Sequence, residues 1–257
     1  MNIKEYLDWE NEKPLDRLAM GYSHTSVFRK IAFVGDSLSS GEFETRDKDG
    51  NPGYHDLYEY SWGQYIARKN GLTAYNFSKG GMTAKEYIES FAEDRGFWDK
   101  DKACQAYVIA LGVNDIINFN MELGDISDAG TDKDTIVRYY MEIIKRYKEI
   151  SPDAKFFFVT MPHPNTEEKN KKAVALRDAI YKINAVTENS YVIDLYEYAP
   201  VYYECSFREK FFLYGHMSPS GYIFTAMIID SYIDYIVRHN PEDFKTTGLI
   251  GTDIEYK

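Results

Sequence analysis

The sequence predicts an α/β protein in which a five-stranded parallel sheet is covered by helices on both faces. Short apolar runs alternate with longer segments of mixed polarity along the chain, the pattern of strand–helix–strand crossovers. Start and stop signals bound the helices: the third ends at Ser151-Pro152, and the last opens with Ser218-Pro219, a capping hydroxyl followed by proline at the first helical position. No internal repeat, low-complexity tract or composition break divides the 257 residues, which suffice for one sizeable core, so a single domain over residues 1–257 is expected.

The strands are read at Ile31 to Val34, Ala74 to Phe77, Tyr107 to Leu111, Phe156 to Thr160 and Tyr191 to Leu195. The helices are read at Ser61 to Asn70, Ala84 to Glu93, Lys133 to Ile150, Thr166 to Glu188 and Pro219 to Arg238. Residues 41–60, "GEFETRDKDGNPGYHDLYEY", are too many and too polar for an ordinary strand-to-helix connection. Because this segment leaves directly from Ser37, a substrate-recognition lid carrying His55 is favoured over a solvent-facing loop. Residues 1–29 read as an N-terminal appendage.

Charge narrows the function classes. A formal net charge of −11 leaves no basic face to neutralise phosphates, which argues against nucleic acid and anionic membrane surfaces and for small neutral or cationic ligands. Charges run through the first thirty residues, so the apolar centre of a signal peptide is missing there, and no apolar run approaches spanning length. A cytoplasmic location is expected, with a trimmed secreted protein as the alternative. Cys104 and Cys205 have no metal-site spacing and read as reduced thiols. The 23 tyrosines against 3 tryptophans are either ordinary core and surface residues or the lining of an amphipathic, sugar-binding cleft.

In an open parallel sheet, ligands bind beyond the carboxyl ends of the strands. The first run is followed there by Gly35-Asp36-Ser37, the second by Ser78-Lys79-Gly80-Gly81, the third by Gly112-Val113-Asn114-Asp115 and the fourth by Met161-Pro162-His163-Pro164. Ser37, at a strand-to-loop turn, can project its hydroxyl above the sheet edge, but a serine needs a base within hydrogen-bond reach. His216, in the loop ahead of the last long helix, is the first candidate base and His163 the second. A developing oxyanion needs donors fixed in advance; Asn114 offers a side-chain amide and Gly81 an unobstructed N–H. Asp36 reads as a support for the serine turn and Asp115 as a cap on the following helix. A phosphate cradle in "GDSLSSG" is disfavoured by Asp36 and Glu42 and by the absence of a lysine.

The set Gly35-Asp36-Ser37-Leu38, Gly81 within "NFSKGGMT", Asn114 within "GVND" and His216 before the final helix resembles the SGNH, or GDSL-type, hydrolase superfamily over the span from Lys30 to about Tyr222. The resemblance implies a flavodoxin-like three-layer α/β/α fold with strand order 2-1-3-4-5 and an ester hydrolase that needs no cofactor and no metal. It assigns Ser37 as nucleophile and first oxyanion donor, Gly81 and Asn114 as further donors, and His216 as base. One departure matters: where the family has an Asp three positions before the histidine, this chain has Leu213. A backbone carbonyl, Glu204, Glu209 or Asp194 could replace it.

The expected function is cleavage of carboxylic esters, by saccharide deacetylation or short-chain esterase action, through an acyl-enzyme on Ser37. The partner is a small-molecule ester, with acylated carbohydrate among the candidates. The alternatives are an idle or weakly active carbohydrate-binding relative, and an O-acyltransferase using the same residues.

Overall fold

The computed structural model describes residues 11–256. Its strands are β1 (Lys30–Gly35), β2 (Glu42–Arg46), β3 (Pro52–Asp56), β4 (Thr73–Ser78), β5 (Ala106–Ala110), β6 (Lys155–Val159), β7 (Ser190–Ile193), β8 (Phe212–Leu213) and β9 (His216–Met217). The helices are α1 (Ser37–Ser40), α2 (Trp62–Asn70), α3 (Ala84–Glu86), α4 (Ala92–Asp94), α5 (Ile136–Ile150), α6 (Glu167–Val186), α7 (Leu195–Tyr198), α8 (Cys205–Phe211), α9 (Pro219–His239) and α10 (Pro241–Phe244).

The main sheet is parallel throughout, in the order β4-β1-β5-β6-β7. Counting its strands alone gives 2-1-3-4-5, the expected flavodoxin-like topology. Strand periodicity divides the core into two layers. Ala32, Val34, Tyr107, Ile109, Phe156 and Phe158 face α5 and α6, where they meet Ile143, Tyr147 and Leu176. The alternate residues Ile31, Phe33, Val108, Phe157 and Val159 face α2 and α9, where they meet Ile66, Ile229 and Ile233. All are buried, and each large side chain contributes about 1.5–3 kcal/mol by leaving water.

The long helices begin where a hydroxyl caps them: Ser61 for α2, Thr135 for α5, Thr166 for α6 and Ser218 for α9, each accepting from a backbone N–H in the first turn. Helix α2 stops at Gly71, whose left-handed φ of 68° closes its carboxyl end. Among the described residues no helix is long and apolar enough to cross a membrane.

Of the appendage expected over residues 1–29, residues 1–10 lie outside the described residues. From Asn11 onward the segment lies against α9. Ser23 Oγ donates to Asp230 Oδ1 (2.8 Å), the Arg238 guanidinium grips both oxygens of Glu12 (3.0 Å each), and Phe28 packs edge-on to Phe157.

The structure departs from expectation in four places. Within residues 41–60, Glu42–Arg46 and Pro52–Asp56 pair as an antiparallel hairpin, β2 and β3, where the sequence reads only as a long polar connection. Its turn is made by Asp47, whose carboxylate accepts from the N–H groups of Asp49 and Asn51, and by Gly50 at φ 84°. The last sheet strand ends at Ile193, because Asp194 caps α7. Tyr87–Phe91, inside the expected second helix, and Asn114–Asn118, following the third sheet strand, are wound as π-turns, a form often found beside functional sites. The approach to His216 is a helix followed by a tight hairpin, α8 with β8 and β9, whose turn residue Tyr214 has φ 56°.

Candidate active site

Asp36 ends β1 in extended conformation and caps α1, its Oδ1 accepting from Leu38 N–H (3.0 Å). Ser37 is therefore the first residue of a one-turn helix above the sheet edge. Its carbonyl accepts from Ser40 Oγ (3.1 Å) and Tyr222 OH (3.3 Å), while its hydroxyl makes no hydrogen bond among the described residues. The Tyr222 OH also donates to the Glu42 carbonyl, so α9 clamps both ends of the α1 turn.

Asn114, at the mouth of β5, donates through Nδ2 to the Met82 carbonyl (3.0 Å) and weakly to Asp36 Oδ2 (3.4 Å). Its Oδ1 accepts from Asn118. Asp115 does not cap its own helix. Both its carboxylate oxygens accept from Ala84 N–H (3.0 and 3.1 Å), which ties the start of α3 to the turn after β5. Burial raises its carboxyl, opposed by those backbone donors. Burial likewise pushes the Asp36 carboxyl up to about 7; Leu38 N–H opposes this, and the negative charges of Asp115 and Glu42 add to it.

Ser37, Asn114 and His216 line one cleft of about 260 Å³, with Val113, Tyr203 and Phe212. Three segments far apart in sequence thus converge at the carboxyl edge of the sheet. Ser37 and His216 share the cleft without a direct hydrogen bond; such contacts are often long before substrate binds. A small recess of about 20 Å³, lined by Leu38, Ala110, Val113 and Met161, adjoins it. Gly81 is not in the cleft wall. It sits at an exposed left-handed turn (φ 73°) one residue before Met82, and its neighbour Gly80 lies against the Glu42 carboxylate, which a Cβ there would overlap. His163 turns away, its Nδ1 paired with the Pro164 carbonyl (2.9 Å) and its ring stacked on Tyr196. His55 sits on the hairpin beside Phe43, bonded to Thr45 Oγ1 (2.9 Å).

The acid partner of His216 is where the structure differs most from the expectation. Asp194 is buried at the far end of the sheet, held by Arg177, Tyr181 and Thr160. Glu204 and Glu209 are exposed on or beside α8. Among the described residues no carbonyl accepts from His216 Nδ1, which is buried without a hydrogen-bond partner. Two hairpin carboxylates flank the ring instead: Glu42 Oε1 lies 3.4 Å from Nε2 and Glu44 Oε2 lies 3.5 Å from Nδ1. The second distance is within ion-pair reach but short of hydrogen-bond geometry. Burial raises the Glu42 carboxyl, His216 opposes this and Asp56 adds to it. Glu44 Oε2 accepts from Gly215 N–H (2.9 Å), and Arg46 grips Glu44 Oε1. The signal in the sequence was the alternation of Glu42, Phe43, Glu44 and Thr45, which puts both acids on one face of a strand.

No curated protein sequence matches the chain. Among solved structures it is similar to a protein from Lactobacillus plantarum, with TM-score 0.57 at 16% identity over 80% of this chain and 97% of that one. A family two carbohydrate esterase from Clostridium thermocellum, solved in complex with cellohexaose, aligns with TM-score 0.55 at 15% identity over 88% of this chain and 67% of that one. A lipase/acylhydrolase from Enterococcus faecalis aligns with TM-score 0.53 at 19% identity over 80% and 95%. At these identities the likeness is one of fold. The model of the GDSL-like lipase/acylhydrolases matches residues 31–229, from the first sheet strand into α9, and the chain belongs to that family.

Proposed function

We propose that the protein is a serine hydrolase of carboxylic esters with Ser37 as nucleophile, and the convergence of Ser37, Asn114 and His216 on one cleft carries the reading. Ser37 Oγ attacks the ester carbonyl carbon as its proton passes to His216. The tetrahedral oxyanion is received by the Ser37 N–H and the Asn114 amide, the two donors that line the cleft, and the C–O bond to the alcohol breaks as His216 returns the proton to the leaving oxygen. Water, deprotonated by the same imidazole, then releases the acid and restores the hydroxyl. Of the two Asn114 Nδ2 hydrogen bonds, the one to Asp36 Oδ2 is the longer (3.4 Å against 3.0 Å to the Met82 carbonyl) and is the one an oxyanion would displace.

The narrow recess beside Leu38 supports a short acyl group such as acetyl. Exposed Tyr54, edge-on to His216 (5.7 Å between ring centroids), and exposed Tyr214, two residues before that histidine, offer aromatic faces near it. Such rings fit the apolar face of a sugar, so an acetylated saccharide is the favoured substrate class; the cellohexaose held by the Clostridium esterase is in keeping with it.

Substituting Ser37→Ala should abolish both ester turnover and covalent labelling by a fluorophosphonate probe. Wild-type protein that fails to label overturns the assignment. A panel of acyl chain lengths and acetylated saccharides should show turnover falling beyond the shortest acyl groups. Transfer of the acyl group to a sugar in place of water is read from the products.

A further inference from the structure

We propose that Glu44, carried by the inserted hairpin, is the positioning residue that orients His216 and stabilises its protonated form, in place of the acid missing at Leu213. The inference rests on the reading of Ser37 and His216 as nucleophile and base.

A histidine base uses one ring nitrogen toward the serine, and the other must be held in the correct tautomer. His216 Nδ1 is buried and makes no hydrogen bond among the described residues, and a buried N–H left that way costs roughly 1–3 kcal/mol. Glu44 Oε2, 3.5 Å away, is itself buried and is fixed by Gly215 N–H, the donor next to the histidine in the chain. A small rotation of the ring closes the gap. Arg46 occupies the other oxygen, Oε1, so the carboxylate is anchored at both ends with Oε2 turned to the imidazole. Gly215 is part of the arrangement, since a Cβ there would stand 2.6 Å from Glu44 Oε2.

Glu42 is not the equivalent partner. It lies on Nε2, the nitrogen left to serve Ser37 once Nδ1 is held, and its carboxyl is raised by burial, which weakens its claim to a permanent charge. During acylation the proton of Ser37 Oγ goes to Nε2 and the Nδ1 proton stays on the ring. Glu44 Oε2, 3.5 Å from Nδ1, faces the new positive charge.

Steady-state kinetics on Glu44→Gln should show kcat lowered by at least about 100-fold with KM changed less than about threefold, since in a serine protease loss of the orienting carboxylate costs about ten-thousandfold. Glu44→Asp should recover part of the loss, whereas Glu204→Gln should match wild type. Nitrogen-15 NMR of His216 reports the tautomer directly and does not need the variant to fold: wild-type protein should carry its neutral-state proton on Nδ1. A Glu44→Gln variant that is folded and within threefold of wild type overturns the proposal. So does a wild-type ring protonated on Nε2 alone, or a loss that follows Glu42→Gln and spares Glu44→Gln. The two readings fail separately. Absent fluorophosphonate labelling sinks the nucleophile, while a labelled, active enzyme indifferent to Glu44→Gln sinks only the role of Glu44.

Discussion

Replacing Asp36 by asparagine isolates the energetic cost of the carboxyl that caps α1. Burial holds this group at about 7 against an ordinary 3.8. The folded chain therefore keeps a proton that the unfolded chain has lost over the interval between those values. Wherever the folded state binds more protons, stability falls as pH rises. Below about pH 3.8 both states are protonated and nothing is lost. Above about pH 7 the full penalty is reached, and at 1.36 kcal/mol per pH unit it is about 4 kcal/mol. About 2.5 kcal/mol of that falls between pH 5 and 8. Asparagine has the same shape, can accept from Leu38 N–H as the α1 cap, and does not ionise. Urea unfolding of both proteins across this range should show Asp36→Asn gaining on wild type as pH rises, by about 2.5 kcal/mol between pH 5 and 8. Parallel curves would refute the reasoning: they would mean that Leu38 N–H and Asn114 already keep Asp36 ionised in the fold.

Two further substitutions test the packing that holds the site. A methyl group at Gly63 on α2 would stand 2.7 Å from the Phe33 ring and 3.3 Å from Ala74 Cβ, so Gly63→Ala should lower stability by roughly 1–2 kcal/mol in urea unfolding despite its better helix propensity. Asp230, wholly buried, binds Lys69 Nζ (2.7 Å), Asn70 and Ser23; Asp230→Ala strands the lysine and should cost about 3–5 kcal/mol, with a lower melting temperature as the readout.

The strands and helices of the sheet were legible because the information is local, whereas the strand order came from the family resemblance. β1 and β6 carry apolar side chains on both faces, and the helices between strands start at hydroxyl caps three residues ahead of the N–H they bind. That Ser37, Asn114 and His216 would meet at the carboxyl edge of the sheet was legible because each lies shortly after a strand or ahead of a capped helix. The roles of residues inside the polar insertion were not. Residues 42–56 have few apolar positions to reveal a strand, and the pairing of β2 with β3 depends on the Asp47 turn. Asp115 was misread for a related reason: a carboxylate in the first turn of a helix is usually a local cap, but here the π-turn at Asn114–Asn118 redirects it to Ala84, 31 residues earlier in the chain.

With Glu44 on a hairpin, its approach to His216 is assembled in an order the fold dictates. In a chain with the acid three residues before the histidine, one loop carries both groups and their spacing is set locally. Here Glu44 and His216 are brought together only when β2 is anchored at both of its neighbours. At its start, Gly41 takes φ 84° where a Cβ would meet the Leu57 carbonyl at 2.8 Å, and Tyr222 OH ties Glu42 and Ser37 to α9. On its far side, Gly215 N–H binds Glu44 and links the hairpin to the turn that bears the histidine. The six residues between Ser37 and Glu44 therefore couple the α1 turn to the Glu44 carboxylate through α9. A loosened hairpin removes the partner of His216 without disturbing the sheet, so catalysis and global stability can be lost independently.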